Sequence, residues 1–167
     1  DLATIDIRIQ DIAQSALLSS LEKYQAESGS VILMDVKTGA IRAMSSLQRT
    51  AEEKYAESFN FAFGAAYEPG STFKLASLLV ALEDGKIDTS SIVDTKNGVF
   101  EFYDRKMRDS NAHRGGHGKI SIARAFEVSS NIGIARTIVD LYEDKPQEFI
   151  DRLARLGVSN KLDFELL

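Results

Sequence analysis

Cysteine is absent from the 167 residues, which excludes both a disulfide framework and a thiolate metal site. Proline occurs only twice and Gly/Ser clusters are few, so there is little room for a flexible linker. No apolar run approaches the roughly 18–20 residues of a membrane-spanning helix. Nothing at the start reads as a signal peptide, so any anchor of a parent protein is expected outside this chain. Positive charge is in deficit: 20 Lys and Arg against 25 Asp and Glu give a net charge of −5. That balance argues against a nucleic-acid partner, which selects basic patches, and gives no reason to expect binding to anionic lipid. Histidine is scarce as well. His113 and His117 are spaced for a metal on a helix, but Gly115 and Gly116 between them argue for a loop. With no obvious third ligand, no metal and no cofactor are expected.

The hydrophobic fraction, 44%, is ordinary for a soluble domain with its own core. No internal repeat or low-complexity segment interrupts it. Residues 7–24 place Ile9, Ile12, Ala13, Ala16, Leu17 and Leu21 at helical spacing, with Arg8, Asp11 and Glu22 on a polar face. Residues 30–36 read as a buried strand, 37–40 as a turn and 41–45 as a returning strand, together a β-hairpin. Residues 46–58 read as a polar surface connection. Phe59, Phe61, Phe63 and Tyr67 nearly alternate and are expected to pack against the helix that follows. That helix spans about residues 71–84, with Gly85 as its stop. Residues 86–118 read as irregular, with short strands near 99–103. The charge run Asp104, Arg105, Lys106, Arg108, Asp109 reads as a solvated loop. Ser121 caps a helix to about residue 128, residues 129–131 interrupt it, and residues 132–141 continue as another helix. Pro146 suits a first helical position, and residues 147–156 form a last helix that stops at Gly157. The chain is thus α+β and helix-rich. Two strands alone make a marginal sheet, so further strands are expected.

The helix after Gly70 carries the chemistry. Apolar residues occupy nearly every face, so it reads as buried, and Lys74 is its only charge before Glu83. A buried ammonium is costly unless it finds partners or loses its proton. Ser71 lies three residues earlier on the same face. A serine hydroxyl needs a base to become a nucleophile, and a desolvated neutral lysine amine is one. Ser71 also opens the helix, where the dipole favours the negative charge of a tetrahedral intermediate. Ser-x-x-Lys alone is a weak pattern: Ser71 also suits an N-cap, and Lys74 also suits a side chain snorkelling to solvent.

The longer string Tyr67-Glu68-Pro69-Gly70-Ser71-Thr72-Phe73-Lys74 is far more specific. It resembles the active-site segment of class B penicillin-binding proteins, the monofunctional peptidoglycan D,D-transpeptidases. Ser129-Ser130-Asn131 resembles their second motif in its Ser-x-Asn form. Residues 31–44 resemble the first two strands of the family's sheet, and residues 109–120 the loop leading to the second motif. The fold implied is a partial DD-peptidase/β-lactamase-like one, with a helical subdomain and an incomplete antiparallel sheet. The resemblance implies Ser71 as nucleophile, Lys74 as general base, Ser129 as proton relay, and Asn131 hydrogen-bonding both the substrate amide and the Lys74 side chain. It also implies peptidoglycan stem peptides as substrate, β-lactams bonding covalently to Ser71, cell-wall or divisome proteins as partners, and an extracytoplasmic site with a membrane-anchored parent.

Lys37-Thr38-Gly39 imitates the family's third motif, but it precedes the nucleophile and suits a hairpin turn, so it is set aside. After Asn131 no Lys-Thr-Gly or Lys-Ser-Gly occurs. The expectation is that residues 1–167 are the N-terminal part of one transpeptidase domain, cut from a longer protein and impaired by itself. A sheet edge left open would favour self-association. Two other readings are a serine β-lactamase and a non-catalytic penicillin-sensor domain. Class D β-lactamases resemble Ser-Thr-Phe-Lys but carry Ser-x-Val, and class A enzymes carry Ser-Asp-Asn, so Ser129-Ser130-Asn131 favours the transpeptidase.

Overall fold

A computed structural model describes residues 3–57 and 59–159. The chain divides into two units, Asp1–Tyr67 and Glu68–Leu167.

In the first unit, helix α1 (Ile7–Tyr24) begins where Asp6 accepts a hydrogen bond from the Arg8 N–H. Its buried residues are Ala13 and Leu21, whereas Ile12 is 70% exposed. The expected apolar face is therefore rotated, because polar Gln10 turns inward. Its amide donates to the Met44 carbonyl and accepts from the Met44 N–H, both at 2.8 Å. The side chain thus stands in for a neighbouring strand at that backbone position.

Strands β1 (Ser28–Met34), β2 (Ile41–Arg49) and β3 (Tyr55–Ala56) form an antiparallel sheet in the order β1-β2-β3. The hairpin is in place, and Asp35 organises its turn. One carboxylate oxygen accepts from the Lys37 N–H, the Thr38 N–H and the Thr38 hydroxyl, each at 3.0 Å. Those bonds hold the Asp35 carboxyl below its ordinary range. Lys37-Thr38-Gly39 is accordingly turn chemistry, with Gly39 at φ +71°.

Two expectations fail in this unit. Strand β1 is not buried: Ile32, Leu33 and Met34 are 42%, 42% and 54% exposed, because β1 lies at the outside of the sheet. Residues 46–58 are not simply a surface connection, since β2 continues to Arg49 and buries Ser46 and Leu47. Strand β3 returns to pair with its end, Gln48 opposite Ala56, and the Ser46 hydroxyl donates to Asn60 Oδ1 at 3.2 Å. Ser58, the last residue of that predicted connection, lies outside the described residues. Phe59 and Phe61 meet edge to face at 5.3 Å beside the short helix α2 (Phe61–Gly64), so the contact described for these rings is with each other.

The second unit opens with a 3-10 turn, Gly70–Thr72, that runs into α3 (Phe73–Glu83). Residues 86–118 are less irregular than expected. Strands β4 (Ile92–Asp94) and β7 (Lys119–Ser121) pair, and β5 (Val99–Phe102) forms a tight hairpin with β6 (Arg105–Arg108). The supposed solvated charge run is therefore largely a strand, whose basic residues flank Met107 opposite Phe100. Helices α4 (Ile122–Glu127), α5 (Asn131–Tyr142) and α6 (Pro146–Arg155) follow with Ser121 as N-cap and Pro146 at the first turn, as expected.

Helix α3 is a wall between two cores. Leu78 packs with Val93, Ile122, Ala125 and Ile134 on one side. Val80 packs with Tyr142 and Leu153 on the other. The helix is not buried all round, because Leu75 and Leu79 are 52% and 41% exposed. Its end is tied by a polar cluster. The Asp84 side chain is 1% exposed, pairs with Arg152 at 2.6 Å and accepts the Tyr142 hydroxyl at 2.5 Å. Burial, then that hydrogen bond, push the Tyr142 phenol well above its ordinary range. Replacing Asp84 with alanine strands the Tyr142 hydroxyl and Arg152, though Arg152 retains partial access to water. Asp84→Ala is expected to cost about 2–3 kcal/mol. Urea denaturation with an unchanged m-value would show it, and a cost under about 0.5 kcal/mol would contradict the stapling role.

Candidate active site

Ser71 lies in the 3-10 turn, with Gly70 before it in the left-handed region at φ +56°. Glycine accepts that conformation without a Cβ clash, and the chain then enters α3 directly. Lys74 follows one turn later, half-buried. Its ammonium nitrogen donates to the Ser129 carbonyl at 2.6 Å and to the Ser129 hydroxyl at 3.0 Å. The Ser129 hydroxyl in turn donates to Ser71 Oγ at 3.1 Å. Ser71, Ser129 and Lys74 thus form one continuous hydrogen-bonded path, and the link from Ser71 to Lys74 passes through Ser129. Desolvation lowers the Lys74 pKa below its ordinary value, with the negative charge of Asp109 opposing the shift. A lysine so placed gives up its proton more readily than one in water.

Ser129 reaches this position through a strained turn. Its φ is +52°, which serine rarely adopts. The Ser129 N–H bonds the Phe126 carbonyl at 2.9 Å, and the Ser130 N–H bonds the Ala125 carbonyl at 2.8 Å. That pair of bonds is a Schellman motif closing α4, with serine where glycine is usual. Ser130 then caps α5, its hydroxyl accepting from the Gly133 N–H at 2.8 Å. Gly133 is needed there, since a Cβ would sit 2.8 Å from Ala125 Cβ and 3.0 Å from Ser130 Oγ. Helices α4 and α5 therefore meet closely around the Ser129–Asn131 turn.

Asn131 Nδ2 donates to the Arg108 carbonyl at 2.8 Å. It lines a cavity of about 350 Å³ together with Lys74, Met107 and Ile134. His113 lies in the 3-10 turn Ala112–Arg114 and His117 in the loop beyond it. Among the described residues no group of three or more His, Asp or Glu side chains is arranged to hold a metal.

A family model, the penicillin-binding protein transpeptidase domain, matches residues 29–166. The chain belongs to that family. Among curated proteins, it is 31% identical to the probable peptidoglycan D,D-transpeptidase PbpC of Pseudomonas aeruginosa, over 92% of this chain and 27% of that protein. It is 24% identical to the peptidoglycan D,D-transpeptidase FtsI of Escherichia coli, over 98% of this chain and 27% of that protein. Among solved structures, the transpeptidase domain of Burkholderia pseudomallei penicillin-binding protein 3 superposes with a TM-score of 0.77 at 26% identity, covering 99% of this chain and 45% of that one. A peptidoglycan glycosyltransferase from Burkholderia ambifaria gives a TM-score of 0.78 at 27% identity, covering 98% and 48%. The chain therefore spans about a quarter of the length of these curated relatives and just under half of these solved chains. The transpeptidase-like α+β fold read from the motifs is the fold observed.

Sequence reasoning missed Asp109. It was grouped with the exposed charges beside it, yet it is 5% exposed. It accepts from the Ser130 hydroxyl at 2.7 Å and from the Ile132 N–H at 3.1 Å. Nothing in the composition of that stretch separates Asp109 from Asp104, because its burial is set by a helix more than twenty residues away.

The strain at Ser129 has a measurable consequence. Ser129→Gly and Ser129→Ala both lose the hydroxyl that joins Ser71 to Lys74. Only Ser129→Gly also loses the Cβ penalty at a left-handed position, so it is expected to be the more stable of the two by about 1 kcal/mol. Chemical denaturation of both variants reads the difference, and equal stabilities would mean that the turn is not strained as described.

Proposed function

We propose that this chain is the nucleophile-bearing part of a peptidoglycan-cross-linking serine D,D-transpeptidase, with Ser71 as the acyl-accepting residue. The observation that carries the reading is the path Ser71–Ser129–Lys74, with links of 3.1 and 3.0 Å. Family membership supports it independently. In this mechanism Ser71 Oγ attacks the penultimate D-alanyl carbonyl of a stem peptide. With Lys74 neutral, both hydrogen bonds of the path reverse, Ser71 donating to Ser129 and Ser129 to the Lys74 nitrogen, and the Ser71 proton passes along them to the amine. The Ser71 N–H, at the mouth of α3, faces the developing oxyanion. The C–N bond breaks, D-alanine leaves with a proton returned through Ser129, and an acyl-enzyme remains. An amine of a neighbouring stem then attacks the ester, forms the cross-link and restores Ser71. Asn131 orients the substrate amide at the edge of the site. β-Lactams imitate the D-alanyl donor and acylate the same oxygen. The reaction belongs on the outer face of the cytoplasmic membrane, where its substrate is.

The deciding experiment is intact-mass analysis after incubation with benzylpenicillin. The full-length protein that carries this chain is expected to form a lasting adduct that maps to Ser71 and disappears in Ser71→Ala. Failure of the full-length protein to acylate would sink the reading. Rapid hydrolysis of the adduct would favour a β-lactamase instead.

The acylation rate also has a pH signature. Only the neutral amine accepts a proton, and the Lys74 pKa lies below the ordinary 10.5. The rate is therefore expected to rise with pH and level off, with its midpoint below 10.5. A flat profile across that range would remove Lys74 from the role of base.

A further inference from the structure

The head of α5 is gripped from outside by the end of β6. The Asp109 carboxylate takes the Ser130 hydroxyl at 2.7 Å with Oδ2 and the Ile132 N–H at 3.1 Å with Oδ1. The neighbouring Arg108 carbonyl takes Asn131 Nδ2 at 2.8 Å. Asp109 is itself fixed, its N–H bonded to the Gly98 carbonyl at 2.9 Å. Three consecutive residues after Ser129 are thus tied to two consecutive residues of another element. On the near side, two Schellman bonds tie Ser129 and Ser130 back to α4.

Two side chains share the capping of α5: Ser130 takes the Gly133 N–H and Asp109 takes the Ile132 N–H. The Asp109 carboxylate also takes the Ser130 hydroxyl, so it anchors the cap residue itself. The effect of that anchor reaches one residue upstream. Ser129 is exposed, and its left-handed backbone is disfavoured for any residue with a Cβ. Such conformations persist only where the surroundings over-determine them. Here the surroundings are the Asp109 grip on one side and the α4 terminus on the other.

We propose that Asp109 is a positioning residue, whose carboxylate acts through Ser130 and Ile132 to hold Ser129 with its hydroxyl between Ser71 and Lys74. The inference rests on the acyl-transfer reading of those three residues, and it adds a residue from outside the recognised motifs. The bonds described for Asp109 go to Ser130, Ile132 and Gly98. Apart from its charge, which favours protonated Lys74, its contribution is geometric, and displacing a relay group by about 1 Å can cost on the order of a hundredfold in rate.

The test uses Asp109→Asn and Asp109→Ala in the full-length protein, each alone and combined with Ser129→Ala. Saturating and sub-saturating benzylpenicillin separate the acylation rate constant from the affinity of the pre-covalent complex. Asp109→Ala is expected to lower the rate constant on the order of tenfold to a hundredfold with little change in affinity. Asp109→Asn keeps one acceptor and is expected to recover part of that loss. In the Ser129→Ala background neither substitution is expected to slow acylation further, because the group they position is gone. Equal losses with and without the Ser129 hydroxyl would overturn the proposal, as would an unchanged rate constant in a folded Asp109→Ala protein.

A second arm does not depend on acylation. Amide–Hα couplings and 13Cα shifts of Ser129, selectively labelled in the full-length protein, report its backbone directly. They are expected to leave the left-handed region in Asp109→Ala, and retention of that conformation would overturn the proposal. If the unmodified full-length protein does not acylate, the acyl-transfer reading fails, and this arm still decides whether Asp109 holds Ser129.

Discussion

A serine held at φ +52° between two helices governs how the second unit is arranged. The turn ends α4 and starts α5, so its geometry sets the direction of both. It also carries the hydroxyl and the carbonyl that receive Lys74. Glycine would satisfy the turn at lower cost, because only the Cβ is penalised there. A serine at this position makes sense if the hydroxyl is worth more than the strain. The strain is of order 1–2 kcal/mol, comparable to a single good hydrogen bond. The buried Asp109–Ser130 bond and the close Ala125–Gly133 approach resist relaxation of that turn.

Lys74 sits between two opposed electrostatic effects. Partial burial disfavours its charged form, while the Asp109 charge favours it. Desolvation is the larger, so the net direction is towards the neutral amine. Its two hydrogen bonds, to a carbonyl and a hydroxyl, add no compensating negative charge. A carboxylate in direct contact would have held the proton on the nitrogen and spoiled a base. Asp109 instead spends its two oxygens on Ser130 and the Ile132 N–H.

Local chemistry made much of this legible. The Asp35 turn, the Ser121 cap and Pro146 at a helix start follow from side chains that act on their own backbone neighbours. The Ser71–Lys74 spacing survives because one helical turn fixes it whatever the tertiary fold. What sequence did not disclose depends on distant partners. Gln10 turns inward to bond the backbone N–H and carbonyl of Met44 in β2. Ser46 and Leu47 read as part of a surface connection, yet β2 runs on and buries them. Asp109 looked like its charged neighbours until the head of α5 supplied it with donors. The apolar residues of β1 misled in the opposite sense, since composition cannot tell an outer strand from a central one. Asn131 was identified by motif, but its amide is engaged with Arg108, a partner no motif specifies.

The two halves of the path are held by different means, and this bears on how the base works. Ser71 and Lys74 belong to a short segment braced by hydrophobic clusters on opposite faces of α3. Ser129 belongs to a turn braced by hydrogen bonds to Asp109 and to α4. The first brace is non-directional, whereas the second depends on angle and distance. Small shifts of α3 therefore register chiefly at the Ser129 contacts, where a few tenths of an ångström separate a good hydrogen bond from a poor one. In the proposed mechanism the acyl donor approaches the exposed faces of Ser71 and Ser129. A donor seated there would remove water from Lys74, which acts in the same direction as the desolvation already lowering its pKa. Under that proposal, binding of the donor and readiness of the base are coupled through one physical quantity, the hydration of a single amine.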